Sequence, residues 1–230
     1  MRGADMASDK QPRWKASGNF YFAMTLAGLG HENEVRKGSD IPYLGHLLGV
    51  ASIVIEAGGS EEQAAGALLH DLLEDTPTTY EQLVTLIGIP IADIVQGCTD
   101  TTYARKQEIK KKQKNWPDDR KAKFWWTYRK LPYAKKITKK KATDPSLLVS
   151  LADKTYNAEN TVADLRKCSS AKDRAKVWKK FNVGYDYQCK WYRGLLEAFR
   201  KDGYSTGMQD LFNRFEKAVN EMFPEEMKGK

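Results

Sequence analysis

Ala67-Leu68-Leu69-His70-Asp71-Leu72-Leu73-Glu74-Asp75-Thr76 sets one histidine and three carboxylates into an otherwise apolar run. The run reads as the end of a helix over residues 60–74. At 3.6 residues per turn, His70 and Glu74 share one strip of its surface with Asp71 and Asp75. Ala67, Leu68, Leu69, Leu72 and Leu73 form the apolar remainder, which asks to be buried. Unpaired charges taken into a core are costly, and a metal ion is the usual way to offset them. The alternative is a solvated acidic helix end. The rest of the chain separates the two.

Only three histidines occur, His31, His46 and His70. His46 follows Pro42-Tyr43 and opens the apolar run Leu47-Leu48-Gly49-Val50-Ala51-Ser52-Ile53-Val54-Ile55, which reads as a second buried helix. Far downstream, Leu147-Leu148-Val149-Ser150-Leu151-Ala152-Asp153 places a lone aspartate at the end of another apolar stretch. His46, His70, Asp71 and Asp153 together offer two nitrogen and two oxygen ligands. That mixture suits Mn²⁺, Fe²⁺ or Zn²⁺ with positions left open for water and substrate.

The order of these pieces resembles the HD phosphohydrolase superfamily, in particular the hydrolase domain of Rel/Spo stringent-response proteins and the stand-alone small alarmone hydrolases. The resemblance runs over roughly residues 18–200. It is carried by His31, Arg36-Lys37-Gly38-Ser39, Ile41-Pro42-Tyr43 with His46, and the His70-Asp71 run. Ile94-Val95-Gln96-Gly97-Cys98-Thr99-Asp100 and Leu151-Ala152-Asp153-Lys154 with Asn157 complete it. Two positions depart from the family pattern: Leu47 stands where proline is usual, and Asn33-Glu34 where a Gly-Gln pair is usual.

The resemblance implies an all-α HD-domain helical bundle holding one divalent ion, Mn²⁺, on His46, His70, Asp71 and Asp153. It implies hydrolysis of the 3′-pyrophosphate of guanosine tetra- or pentaphosphate. Glu74 and Asp75 would orient or deprotonate the attacking water, and Arg36 and Lys37 would meet phosphates. Arg129-Lys130 resembles an Arg-Lys pair at this point of the family and is a further phosphate contact. Asn157, one turn after Asp153, would reach a ribose or phosphate, and Tyr43 and Tyr156 would line a base pocket. Two other readings stay open. One is a phosphatase for another nucleotide phosphorylated on its ribose, such as NADPH. The other is a nucleic-acid-binding regulatory module with a vestigial HD site.

At 230 residues the chain suffices for one large buried core. The expected division is an N-terminal extension (1–17), an HD domain (18–201) and a C-terminal helical extension (202–230). Cys98, Cys168 and Cys189 are odd in number and form no Cys-x-x-Cys, which points to a reducing compartment. The first ten residues lack an apolar signal core, and no segment approaches the ~20 apolar residues of a membrane span. A cytoplasmic enzyme is the expectation. Helices are predicted at 14–30, 45–57, 60–74, 78–87, 90–98, 122–136, 145–160, 171–181, 184–201 and 206–222, with no alternating strand. Trp191-Tyr192-Arg193 falls in the closing helices.

Residues 105–141 hold 16 lysines and arginines against three acids, +13 in a chain of net charge +8, so the remainder is −5. Trp116, Phe124, Trp125, Trp126, Tyr128 and Tyr133 are interleaved with these charges. The pattern fits a solvated charged face over buried rings, attraction of a polyanionic nucleotide, or a single-stranded nucleic-acid surface. Its place between the His70-Asp71 run and Asp153 favours the nucleotide.

Overall fold

Ser60 starts a helix by accepting the Gln63 N–H at 3.2 Å, while the Gln63 side chain accepts the Ser60 N–H at 2.9 Å. Thr79 and Gln82 repeat this reciprocal cap, and Glu61, Glu62 and Glu81 occupy the first turns, where the helix dipole favours acids. In the computed structural model, which describes residues 11–181 and 183–224, such starts yield a bundle of helices. Residues 1–10 of the expected N-terminal extension, Asn182, and 225–230 at the C-terminus lie outside the described residues.

The elements run α1 (Gly18–Gly30), α2 (Leu44–Glu56), α3 (Glu61–Leu69), α4 (Leu72–Asp75), α5 (Tyr80–Ile87), α6 (Ile89–Cys98) and α7 (Tyr103–Lys112). They continue with α8 (Asp118–Trp125), a π-helical turn (Trp126–Lys130), α9 (Leu131–Lys139), α10 (Pro145–Arg166), α11 (Ala171–Lys179), α12 (Gly184–Phe199) and α13 (Thr206–Met222). Among the described residues the only extended pairing is one bridge, Val35 to Pro42. No helix among them is long and apolar enough to cross a membrane. The fold is all-α, as the sequence predicts.

The long α10 is the axis. Its buried side chains, Leu147 and Leu151 among them, face α2, α3 and α6, and α13 packs along it as well. Gly49 lets α2 approach: a Cβ there would stand 2.1 Å from the Tyr156 ring of α10. Phe212, Phe215 and Val219 of α13 share the core with Leu195 and Phe199 of α12. Residues 206–222 are therefore built into the same core, where the sequence division set them apart as an extension. Tyr192 is buried in that core, and Arg193 donates to Asn220 and to the Phe223 carbonyl, so both close the fold.

Three elements differ from the sequence expectation. The helix predicted over 60–74 is broken: α3 ends at Leu69, and α4 restarts at Leu72 after Asp71 turns to ψ −4°. The helix α7 was not expected, because Tyr-Ala-Arg-Lys-Gln-Glu-Ile-Lys-Lys-Lys carries no apolar stripe. The helix expected over 122–136 starts at Asp118 and widens into the π turn just before Pro132. A proline there has no N–H to donate and crowds the carbonyl four residues back, which the wider turn relieves.

Candidate metal and phosphate site

The break at His70-Asp71 creates the site. On a regular helix, neighbouring side chains diverge by about 100°. Here both reach one point, with His70 Nε2 3.0 Å from Asp71 Oδ2. The predicted strip of i, i+4 pairs is therefore replaced by a corner. His46 comes from the first turns of α2 and Asp153 from the middle of α10. His46 Nε2 lies 3.3 Å from Asp153 Oδ1 and 3.6 Å from Asp71 Oδ2, and His70 Nε2 lies 3.6 Å from Asp153 Oδ1. Ligands held about 2.1 Å from one ion at right angles stand about 3.0 Å apart, so this spacing fits a shared cation. His46, His70 and Asp153 offer one ligand atom each, all within 4.8 Å of one another, and Asp71 Oδ2 closes on both histidines.

The tautomer supports this. His70 Nδ1–H donates to the Ala67 carbonyl at 2.8 Å, so Nε2 is the ring atom turned to the carboxylates, where it carries either a proton or a metal ion. That nitrogen is buried with no hydrogen-bond partner. Burial disfavours a charged imidazole, but the Asp71 and Asp153 charges outweigh it and raise the His70 pKa well above its ordinary value. Both carboxyls are in turn held well below their usual range in spite of burial, Asp71 by the His70 charge first and Asp153 by Lys154 first. The corner favours positive charge.

Around it lies a cavity of about 240 Å³ whose lining includes five cations, Arg36, Lys106, Arg129, Lys130 and Lys154. Arg36 Nη2 donates to Asn157 Oδ1 at 3.0 Å, and Asn157 Nδ2 donates to Asp153 Oδ1 at 2.5 Å. Arg129 and Lys130 both grip Asp100, at 2.6 and 2.5 Å. Both residues belong to the π turn. The Lys130 and Arg129 charges overcome burial and hold Asp100 well below the carboxylate range.

The acidic pair behind the corner is held by α7. Lys106 Nζ lies 2.8 Å from Glu74 Oε2 and 2.9 Å from Asp75 Oδ1, and the Asp100 N–H donates to Glu74 Oε1 at 2.7 Å. Burial and the Asp100 charge nevertheless raise the Glu74 pKa. Glu74 lines the cavity; Asp75 stands behind it on Lys106.

The remaining expected residues divide. Tyr43 lines the cavity, but its hydroxyl donates to Asp71 Oδ2 at 2.5 Å, so it supports a ligand candidate. Tyr156 is outside the lining: its ring packs on Gly49 and lies 5.1 Å from the His46 ring. Lys37 is exposed beside Gly38, whose φ of 77° makes the turn before Ile41, and also lies outside the lining. His31 packs 5.1 Å from Tyr43, away from the corner. Sequence reasoning gave no role to Asp100, Lys106 or Lys154. Lys154 could have been found beside Asp153 and Asp100 at the end of its apolar helix. Lys106 carried no signal beyond membership of a basic run.

A family model for the HD domain matches residues 23–183. The chain belongs to the HD domain family. A Xenopus tropicalis HD relative, guanosine-3′,5′-bis(diphosphate) 3′-pyrophosphohydrolase MESH1, is 33% identical over 181 residues, covering 77% of this chain and 83% of that one. The bifunctional (p)ppGpp synthase/hydrolase SpoT of Escherichia coli is 30% identical over 144 residues, 63% of this chain and 18% of SpoT. A solved metazoan ortholog of SpoT, described as hydrolysing ppGpp, superposes with a TM-score of 0.62 at 22% identity, covering 89% of this chain and 97% of that one. The last likeness is one of fold. An HD metallohydrolase takes a divalent metal, and the donors at the His70-Asp71 corner fit one.

Proposed function

We propose that this chain hydrolyses the 3′-pyrophosphate of guanosine tetra- and pentaphosphate, giving GDP or GTP and pyrophosphate, with Mn²⁺ held by His46, His70, Asp71 and Asp153. One observation carries the reading: a cation-favouring corner of two histidines and two aspartates opens into a small cavity walled by five basic side chains. Such a cavity takes a polyanion at one end and activates water at the other. The relatives' named activity supplies the particular polyanion.

A divalent ion at the corner would supply Lewis acidity toward water and a phosphoryl oxygen. Everything else falls to the chain. Arg36, tied to Asn157, presents a guanidinium that can meet a phosphate bidentately. Arg129 and Lys130 are held ready by Asp100, which an incoming phosphate would partly replace as their partner. Glu74, with its raised pKa, takes the proton of the attacking water and returns it to the leaving ribose 3′-oxygen. Lys106 keeps Glu74 and Asp75 oriented between these steps. Asp75 acts through Lys106.

The test is purified protein with Mn²⁺, assayed against ppGpp and NADPH, with products resolved by chromatography. Pyrophosphate and GDP from ppGpp support the reading. Orthophosphate from NADPH alone would assign the site to the other nucleotide. No turnover of either, in a protein that binds metal, would revive the regulatory module.

A further inference from the structure

We propose that the clefts flanking α7 bind a single strand of nucleic acid several nucleotides long, beside the catalytic cavity. The first cleft, about 750 Å³, lies between α7 and α8 and the π turn. Trp116, Phe124 and Tyr128 line it in series, with centroids 5.6 Å and then 4.7 Å apart. Tyr128 is 67% exposed, so the ladder ends in a ring open to solvent. Arg120 covers the Trp116 ring at 4.0 Å, and Lys112 and Lys123 border the rings. The one carboxylate in the lining, Glu108, is already paired with Arg105 at 2.6 Å. Ring faces and cations without competing acids are what phosphates and stacked bases need, whatever the base.

The second cleft, about 830 Å³, lies on the other side of α7, against α11 and the start of α12. It adds Lys110 and Lys179 beside Trp178 and Tyr185. Ile109 and Arg129 line both clefts, so the two meet around α7, and Arg129 also lines the catalytic cavity. Either cleft alone matches the roughly 300–1,000 Å³ of a site that encloses one small ligand. Asp118, the carboxylate in the second lining, is paired with Lys121 at 3.2 Å, so both clefts keep a net positive lining, and together they exceed what a mononucleotide fills. A strand fills both.

The experiment is fluorescence anisotropy of fluorescein-labelled rU12 with the full chain, between about 50 and 200 mM salt. Binding that weakens steeply with salt is expected. Tyr128→Ala should weaken it about tenfold. Lys112→Glu with Lys123→Glu should weaken it tenfold or more and flatten the log–log salt slope by about 1.4. None of these residues lines the catalytic cavity, so kcat should be unchanged. If Tyr128→Ala fails to fold, the lysine variant, on exposed side chains, still decides. Absence of binding at low salt, or equal binding by folded variants, would overturn the proposal. So would GTP that occupies the cleft and displaces rU12 at equal concentration, since the site would then be one for a mononucleotide. Binding is read without turnover, so its outcome is independent of the alarmone reading.

Discussion

Asp153 has two jobs at once, ligand candidate on one oxygen and counter-ion of Lys154 on the other, at 2.5 Å. Removing its charge by truncation would leave Lys154 buried and alone, a loss of about 3–5 kcal/mol for a broken buried pair. Asp153→Asn loses the charge too but keeps an oxygen within reach of the Lys154 ammonium, which makes that loss smaller than truncation would. It should fold, shown by an unchanged circular dichroism spectrum, yet purify with little metal by elemental analysis. Full occupancy in that variant would remove Asp153 from the ligand set. Glu74 separates chemistry from metal in the opposite way. Glu74→Gln should retain its metal while kcat falls by about 10²–10⁴-fold, the range for a lost general acid–base group. A normal rate would show that Glu74 only orients its neighbours.

At the scale of elements, α7 and the contact of α2 with α10 govern the site from outside it. Lys106 on α7 favours the ionised form of Glu74 and also pairs with Asp75. Lys106→Met removes that cation, so the Glu74 carboxyl should titrate higher still. Where Glu74 must be ionised to accept a proton, the acid limb of the kcat/KM profile should move to higher pH; an unmoved limb would detach α7 from the chemistry. Gly49→Ala tests the other contact. Its new Cβ meets the Tyr156 ring, which lies against His46, and overpacking of this kind costs about 1–3 kcal/mol. Thermal unfolding should show the loss, whereas Tyr156→Phe, which gives up only a 3.4 Å hydroxyl contact, should leave both Tm and KM near wild type.

Over the whole molecule, charge is divided: the segment 105–141 is strongly basic on a mildly acidic body. Its helices bring Lys106, Arg129 and Lys130 to the cavity, so the lysines beside them should attract an approaching polyanion. Lys110→Gln with Lys111→Gln should raise KM and weaken its dependence on ionic strength, with kcat nearly unchanged. A fall in kcat instead would put these lysines in contact with the reacting phosphates.

The sequence by itself determined the helical class and the four ligand candidates, because apolar runs at helical period and His or Asp at their ends are local facts. The resemblance to HD hydrolases also set Arg36, Asn157 and Arg129-Lys130 apart. What the sequence left open depended on contacts between distant segments. The corner at His70-Asp71 is a backbone break inside a run that reads as continuous helix. Lys106 meets Glu74 across 32 positions, from a helix with no apolar pattern to announce it. Tyr156 reads as a pocket residue until Gly49 of α2 is seen beneath its ring. Periodicity reports which face of an element is buried; only packing decides which buried faces meet, and so which charges share a cavity.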